Sequence, residues 1–127
     1  MEYACRAGTT GPRHYDESDT TFAKYGWAIA NADSQTHRVG ELRPNAFGLY
    51  DMYGNVWEWC ADWLDRDYYS KSVVDDPVGP TKGFLRVTRG GGFNIILQTC
   101  RSGRRGGYKP NSRAKDFGCR LVMTVYQ

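Results

Sequence analysis

The segment GLYDMYGNVWEWC, residues 48–60, places two carboxylates among closely spaced aromatic side chains. The carboxylates belong to Asp51 and Glu58, and Gly54 lies between them. Aromatic rings at this density favour burial, whereas a buried carboxylate is costly unless a cation neutralises it. Two alternatives follow from this chemistry. Either a metal ion binds both carboxylates, or Asp51 caps a turn while Glu58 pairs with an arginine from the basic half of the chain.

The histidines and cysteines give no second metal site. His14 and His37 each lack a second ligand at metal spacing, which favours lone histidines on the surface. No CxxC pair occurs, which argues against a zinc ribbon and leaves two disulfides or buried thiols as the alternatives. The first residues, MEYACRAGTT, contain no secretory signal, so we expect buried thiols. The four cysteines are Cys5, Cys60, Cys100 and Cys119.

The composition is that of one globular domain rich in loops. The chain of 127 residues is 40% hydrophobic and 24% charged, which is enough for one modest core. The 15 glycines, nine tyrosines and four tryptophans favour loops and short strands over a helical bundle. No stretch approaches the ~18 apolar residues of a membrane span, and without a visible signal peptide the expected location is cytoplasmic.

The net charge of +3 conceals a segregation along the chain. Residues 1–81 carry seven basic and 13 acidic side chains, whereas residues 82–127 carry ten basic and one acidic. A basic half could bind phosphates or acidic ligands. We expect it instead to pair with the acidic half and predict no nucleic-acid partner, because no nucleic-acid-binding motif is present. Three arginines are expected to serve the fold, at least one of them by bridging to a carboxylate of residues 51–67: Arg101, Arg104 and Arg105.

The helix and strand signals are short. EYACRAG predicts the end of a helix that stops at Gly8. FAKYGWAIAN, residues 22–31, fits either a short strand or a packed irregular segment. VWEWCADWL, residues 56–64, predicts a strand in its first half, with Trp57 and Trp59 on one face because their spacing is two.

Two further strands are predicted in the basic half. In FLRVTRGGGF, residues 84–93, the side chains of Phe84, Arg86 and Thr88 alternate with those of Leu85, Val87 and Arg89. This is the pattern of a half-buried strand that ends at a glycine run. DFGCRLVMTVYQ, residues 116–127, predicts the last strand. No internal repeat and no low-complexity segment interrupts this order, so the signals describe one continuous domain.

The ordered motifs of the chain resemble one known family. GELRPNAFGLYDMYGNVWEWCADW, RVTRGGGF, CRSGRR and FGCRLV follow one another as in the formylglycine-generating-enzyme, or sulfatase-modifying-factor, family. The resemblance covers roughly residues 1–123 and implies an α+β, C-type-lectin-like fold with short antiparallel strands. It corresponds to the C-terminal part of the family's domain. We therefore expect a truncated, loop-rich single domain over residues 1–127 that lacks the family's N-terminal half.

The missing half leads to an expectation about assembly. Apolar side chains would face a gap, and a soluble monomer rarely leaves a large apolar patch open. A two-fold contact between two copies is the commonest way to cover such a patch. We therefore expect a homodimer. The residues expected at the gap are Trp27, Phe47, Leu49, Trp57, Trp59, Val87, Phe93 and Leu121.

For residues 48–60, the segment rich in aromatic side chains, the resemblance implies a calcium site. Its ligands would be the side chains of Asp51 and Glu58 and the backbone carbonyls of Gly54 and Val56. Ca²⁺ accepts carboxylate, carbonyl and water oxygens in irregular geometry. Glycine permits backbone angles that aim a carbonyl inward, and alternate residues of an extended segment share one side. The predicted cofactor is therefore Ca²⁺.

The catalytic residues of the family are not matched. Its catalytic members use two cysteines after the glycine run to bind copper and oxidise a cysteine of a sulfatase, a role suited to soft thiolates. Here Gly92 stands at their serine position, and Ile95 stands at the first copper cysteine. Cys100 matches a structural cysteine of the family. We therefore expect no copper, and a formylglycine-generating oxidase is the disfavoured alternative.

Another branch of the family resembles the same segment. Variable proteins of diversity-generating retroelements use this fold to display mixed side chains between motifs that RGGGF, CRSGRR and FGCR resemble. The apolar run Ile95, Ile96 and Leu97 either is a contact surface, if the loop is exposed, or fills the gap left by the missing N-terminal half. We predict a non-catalytic binding or accessory module with an unidentified protein or small-molecule ligand. The candidate ligand-binding residues are Phe93, Asn94, Ile95, Ile96, Leu97, Gln98, Arg104 and Tyr108.

Overall fold

The chain forms short helices and two small sheets. A computed structural model describes residues 1–15, 18–71 and 79–123. In those ranges no helix has the length and apolar character needed to cross a bilayer. The helices are α1, Glu2–Arg6; α2, Asp19–Phe22; and α3, Tyr68–Lys71; a 3₁₀ turn covers Leu97–Thr99.

The helix α1 ends where the sequence predicts. After Arg6, the residues Ala7 and Gly8 adopt left-handed backbone angles, with φ of 47° and 90°. A left-handed residue commonly follows the last helical turn, and glycine adopts this conformation without steric cost. The Ala7 N–H donates to the Tyr3 carbonyl at 3.1 Å, so one of the last helical carbonyls is satisfied. The helix buries Cys5 in the core.

The strands form a two-stranded sheet and a four-stranded sheet. The described strands are β1, Gly26–Trp27; β2, Tyr53–Gly54; β3, Trp57–Trp63; β4, Arg86–Arg89; β5, Gly106–Tyr108; and β6, Phe117–Gly118. β1 and β2 pair in parallel. The larger sheet has the order β5-β4-β3-β6, in which β3–β4 and β4–β5 are antiparallel and β3–β6 is parallel. The α+β class with short strands is confirmed, although two of the pairs are parallel.

The strand β3 confirms one prediction and extends it. Trp57 and Trp59 share a face, because both rings lie against Tyr108 with centroid separations of 6.3 and 6.5 Å. The strand continues beyond its predicted half to Trp63, with a register shift against β4 on the way. The Arg86 guanidinium lies 3.7 Å from the centre of the Trp63 ring, and this stacking holds the far end of β3 against β4.

Two strand predictions are corrected. β4 is not half-buried, because the neighbours Val87 and Thr88 are both buried. The strand is paired along both edges, with β3 and β5, and the neighbours Val87 and Thr88 point to opposite faces, so each face is covered at its centre. The strand predicted over residues 116–127 is reduced to β6, because pairing with β3 ends at Gly118. Residues 119–123 have no strand structure, and the rest of that prediction lies outside the described residues.

The main core joins α1, α2, β2 and the 3₁₀ turn. Arg13 is buried beside this core. Its Nε donates to the Cys100 carbonyl at 2.9 Å, and its Nη2 donates to the Leu97 carbonyl. Pairing of these donors makes burial of the charged group tolerable. The buried members of this core are Cys5, Phe22, Ala28, Met52, Tyr53, Leu97 and Cys100.

The apolar gap expected from the sequence is only partly present. Trp57, Val87 and Phe93 are each at most 4% exposed, so the chain itself covers them and their expected position at a gap is wrong. Leu121 is 92% exposed and Phe47 is 47% exposed, so apolar surface does remain at these residues. The homodimer stays a prediction.

All four cysteines are free thiols. Cys5 and Cys100 are buried as predicted, whereas Cys60 is half-buried and Cys119 is exposed, which corrects the prediction for Cys119. Burial raises the pKa of Cys5 and raises the pKa of Cys100 to about 12. Since the thiolate is the reactive and metal-binding form, these two buried thiols are inert at neutral pH.

His14 lies in a cluster of tyrosine rings, so its predicted surface position is wrong. Its ring stacks on Tyr53 at 5.5 Å and stands nearly perpendicular to Tyr15 and Tyr25 at 4.8 and 4.7 Å. Its Nε2 is buried and has no hydrogen-bond partner among the described residues. Burial lowers the pKa of His14. His37 is also half-buried, flat against an indole ring.

This environment predicts a loss of stability in mild acid. In the unfolded chain the pKa of a histidine is ~6.5, above that of native His14, so the unfolded state binds more protons as the pH falls below about 6.5. Stability should therefore decrease from about pH 7.5 to about pH 5.5, and His14→Phe, which keeps an aromatic ring, should show a smaller decrease. Urea unfolding midpoints of both proteins measure this. An equal decrease in the two proteins would contradict the role of His14.

Candidate functional site

The four residues predicted as calcium ligands line one cavity. Asp51, Gly54, Val56 and Glu58 all border a cavity of about 390 Å³. Both carboxylates are buried, although they belong to a loop-rich segment. The cavity also receives residues from the end of the chain, so distant segments meet at this point. The other lining residues are Val39, Gly40, Gly48, Leu49, Tyr50, Asn55, Cys119 and Arg120.

Left-handed backbone angles give the loop its shape. The angle φ is 56° at Asp51, 77° at Gly54 and 61° at Asn55. At Gly54 only glycine fits, because a Cβ atom would overlap the carbonyl oxygen of Trp27 on the adjacent strand β1. The other two residues carry side chains in a conformation that favours glycine, and aspartate and asparagine tolerate it best. Such strain persists where the surrounding contacts hold it, and it is common in binding sites.

The Asn55 side chain holds the backbone at His37, close in sequence to Val39 and Gly40, which line the cavity. Its Oδ1 accepts the His37 N–H at 2.9 Å, and its Nδ2 donates to the His37 carbonyl at 3.1 Å. Three residues later, the Gly40 N–H donates to Oδ2 of Asp51 at 2.8 Å. Asp51 therefore bonds across the cavity and does not cap its own turn. Its Oδ1 is buried without a hydrogen-bond partner in the described part of the chain, a state that favours a cation.

Glu58 is neutralised by Arg120. The guanidinium donates from Nε to Oε2 at 2.9 Å and from Nη2 to Oε1 at 2.7 Å, which is a bidentate pair. Nη2 also faces the carbonyl oxygens of Tyr50 at 2.9 Å and Asp51 at 3.4 Å. Burial lowers the pKa of Arg120, but the bonds and charge of Glu58 outweigh this, so the net pKa is raised. The alternative in which Glu58 pairs with an arginine of the basic half is present in this structure.

The three arginines expected to bridge to the acidic half do not do so. Within the described ranges, no ion pair includes Arg101, Arg104 or Arg105. Arg105 instead lies over the Tyr69 ring at 4.5 Å. The prediction of a bridge is correct in kind but wrong in its residues, because Arg120 makes the bridge.

The cavity suits a hard cation. Among the residues that the structure describes, no group of three or more histidine, cysteine or acidic side chains could hold a metal. Calcium does not require such a group, since carbonyl and water oxygens complete its shell. Asp51 lines this cavity, and its buried Oδ1 has no hydrogen-bond partner among the described residues. These oxygen atoms are of the kind that Ca²⁺ binds. The Glu58 carboxylate can bind the ion only where Arg120 shares or releases its oxygen atoms.

The segment after the glycine run alternates between core and surface. Ile96 is 56% exposed, and Leu97 beside it is 7% exposed. The apolar run therefore divides, with part of it filling the core and part of it forming a surface. The buried or half-buried members are Phe93, Ile95 and Leu97. The exposed members are Asn94, Ile96 and Gln98.

Backbone hydrogen bonds join this segment to residues 50–58, which we call the acidic loop. The Gly54 N–H donates to the Gly90 carbonyl at 2.8 Å, and the Phe93 N–H donates to the Asn55 carbonyl at 2.8 Å. These bonds involve only main-chain atoms, so they persist whatever side chains the segment carries. The position of the acidic loop therefore fixes the start of the exposed segment.

The two remaining candidate binding residues are held by the sheet. Tyr108 ends β5, and its ring lies 4.5 Å from that of Phe117 and 6.5 Å from that of Trp59. Arg104 is half-buried, and its carbonyl accepts a hydrogen bond from Arg89 at 3.4 Å. The ring contacts give Tyr108 a structural role in the sheet, whereas the contact of Arg104 is made by its backbone carbonyl.

Three residues that form hydrogen bonds at the cavity are not predicted as site residues from the sequence: Gly40, Asn55 and Arg120. Arg120 is part of the FGCRLV motif and lies two residues after β6, but no local pattern marks it as the partner of Glu58. Asn55 follows a glycine in a turn, where asparagine tolerates left-handed angles. Nothing in the sequence identifies Gly40, because only its backbone N–H contacts the site.

The α+β fold with short strands, together with an acidic loop bonded to a glycine run, defines a C-type-lectin-like domain of the formylglycine-generating-enzyme type. The family that matches is described as the sulfatase-modifying factor enzyme 1-like domain, over residues 1–125. The chain belongs to this family, which confirms the resemblance that the motifs carry.

Individual relatives show the same correspondence. A formylglycine-generating enzyme of Streptomyces coelicolor is 34% identical over 137 residues, which cover 95% of this chain and 43% of that protein. Treponema denticola variable protein 1 has a TM-score of 0.85 at 36% identity, covering 93% of this chain and 42% of that one. PvdO from Pseudomonas aeruginosa has a TM-score of 0.80 at 32% identity, covering 93% and 47%. The chain spans less than half the length of each.

Leu97 and Ile96 form a matched pair for testing the division between core and surface. Leu97→Ala should lower the free energy of unfolding by about 2–5 kcal/mol, because it leaves a cavity in the core. Ile96→Ala should change it by less than about 0.5 kcal/mol, because the side chain is exposed. Chemical denaturation of both variants measures the difference. Equal losses would remove Ile96 from the proposed surface.

Proposed function

We propose that this chain is a non-catalytic, C-type-lectin-like binding module whose contact surface consists of the exposed side chains of Asn94, Ile96 and Gln98. The observation that carries the proposal is the alternation of residues 93–98 between core and surface. An exposed aliphatic side chain beside two amides offers both apolar and hydrogen-bonding contact to a ligand. The buried neighbours hold the turn, so the exposed positions can vary without cost to the core.

The similarity to Treponema denticola variable protein 1 supports a display role for this surface. A display scaffold needs backbone anchors that do not depend on the displayed side chains. The bonds from Gly54 to Gly90 and from Phe93 to Asn55 are of that kind. The ligand is a protein or a small molecule that contacts the exposed side chains.

The alternative function, a formylglycine-generating oxidase, requires two thiolates near the glycine run. Ile95 stands at the position of the first, and Cys100 is a buried thiol whose pKa is raised to about 12 by burial. A thiol in this state does not supply a thiolate at neutral pH. Copper is therefore not part of the proposal.

We further propose that Ca²⁺ binds in the cavity, held by the carboxylates of Asp51 and Glu58 and the backbone carbonyls of Gly54 and Val56. The ion supplies positive charge to two buried carboxylates. Its role is structural, because the same loop donates and accepts the backbone bonds that fix the start of the contact segment.

Calcium should therefore raise the melting temperature of the wild type. At a tenfold excess over the dissociation constant, a ligand that binds only the native state adds about 1.4 kcal/mol of stability. Glu58→Gln should abolish the rise, whereas Glu41→Gln, at an exposed carboxylate, should retain it. Scanning calorimetry with and without millimolar Ca²⁺ measures both. An unchanged melting temperature of the wild type would count against the calcium site.

The chain should not oxidise a sulfatase cysteine. After incubation with copper and a cysteine-containing sulfatase peptide, oxygen uptake should equal that of copper alone, because the thiolate pair is missing. Mass spectrometry of the peptide detects any formylglycine, and the Streptomyces coelicolor relative provides the positive control. Formylglycine above the copper-only background would overturn the non-catalytic assignment.

A further inference from the structure

The guanidinium of Arg120 is itself a cation, and Arg120 lines the cavity in which we propose Ca²⁺. Its guanidinium contacts both carboxylate oxygens of Glu58, at 2.7 and 2.9 Å. It also faces the carbonyl oxygens of Tyr50 at 2.9 Å and Asp51 at 3.4 Å. Carboxylate and carbonyl oxygens are also the ligands of Ca²⁺. The two cations therefore draw on the same kind of oxygen atom in the same cavity.

We propose that Arg120 is a built-in competitor of Ca²⁺, which binds when Arg120 leaves Glu58 and dissociates when Arg120 returns. This inference rests on the proposed calcium site and adds the residue that sets its affinity. The cavity contains the carboxylates of Asp51 and Glu58 and one guanidinium. With Arg120 in place, a divalent ion would leave an excess of positive charge. With Arg120 displaced, the ion balances the two carboxylates, so repulsion between the cations favours exchange.

The two partners of the ion pair differ in their freedom to leave it. The Glu58 side chain is 8% exposed, and a carboxylate so buried is strongly destabilising without a cation. The Arg120 side chain is 31% exposed and belongs to residues 119–123, which have no strand structure. A displaced guanidinium therefore reaches water, while the ion keeps Glu58 neutralised.

Exchange at Glu58 would change the surface at the end of the described chain. The side-chain hydrogen bonds that tie residues 119–123 to the acidic loop are those of Arg120. Leu121 and Val122 border a second cavity of about 740 Å³, together with Trp59. Release of Arg120 frees these apolar residues from the loop. Because coupling is reciprocal, a ligand that binds the freed segment would also tighten Ca²⁺ binding.

Calorimetric titration of Ca²⁺ into the wild type and Arg120→Gln tests the competition. Loss of the guanidinium should tighten Ca²⁺ binding by about tenfold, the effect of removing one competing charge at contact distance. Arg113→Gln removes the same charge at an exposed residue and should leave the affinity unchanged. Arg120→Lys keeps the charge but loses the bidentate geometry, and it should give an intermediate affinity. If Arg120→Gln does not fold without Ca²⁺, the affinities of Arg120→Lys and the wild type are compared instead.

A spin label on Cys119 gives a second readout, independent of affinity. Cys119 is an exposed thiol next to Arg120, whereas Cys5 and Cys100 are buried. In a Cys60→Ser background, a nitroxide on Cys119 should become more mobile when Ca²⁺ is added. In the Arg120→Gln variant, the label should be mobile without Ca²⁺.

The possible results separate this inference from the calcium site itself. Ca²⁺ binding with equal affinity to the wild type and Arg120→Gln would overturn the competition and leave the calcium site in place. Equal tightening in Arg113→Gln would assign the effect to net charge and would also overturn it. If Ca²⁺ binds neither the wild type nor any variant, the calcium site is overturned and the competition with it.

Discussion

The buried carboxylate of Glu58 is the constraint on which the rest of the structure depends. It lies in β3 opposite Arg89 of β4 and opposite Gly118 of β6, so the sheet fixes its position from both sides. A charged group at such a place needs a cation. Arg120 follows Gly118 by two residues, so the pairing of β6 that covers Glu58 also delivers the guanidinium. The ion pair is thus a product of the sheet topology.

The acidic loop connects this constraint to the proposed contact surface. Gly54 lets the loop pass against β1, and the left-handed Asn55 presents its carbonyl to the Phe93 N–H. The glycine run is bonded to the same loop through Gly90. The Arg120 guanidinium that neutralises Glu58 also contacts the carbonyl oxygens of Tyr50 and Asp51 in this loop. One short loop therefore lies between the ion pair of the cavity and the backbone of the exposed segment.

The features that the sequence predicts well depend on near neighbours. The end of α1 follows from Gly8, and the shared face of the two tryptophans follows from their spacing. The partner of Glu58 is different, because Arg120 lies 62 residues away and no local pattern selects it among 17 basic side chains. The apolar run at Ile95 and Ile96 is ambiguous for a related reason. Consecutive apolar residues suit a strand, a turn or a surface, and only tertiary contacts decide among them.

At position 95, packing and thiolate chemistry exclude one another. The Ile95 side chain, the Gly91 backbone and the Cys100 sulfur are in close contact, since a Cβ on Gly91 would lie 2.7 Å from Ile95 Cδ1 and 3.3 Å from Cys100 Sγ. Burial of an aliphatic side chain here contributes at most about 1.5–3 kcal/mol. The same burial raises the pKa of Cys100. A metal-binding thiolate pair requires a second sulfur and a polar surrounding. The packing that holds this turn therefore leaves no polar surrounding for a thiolate pair.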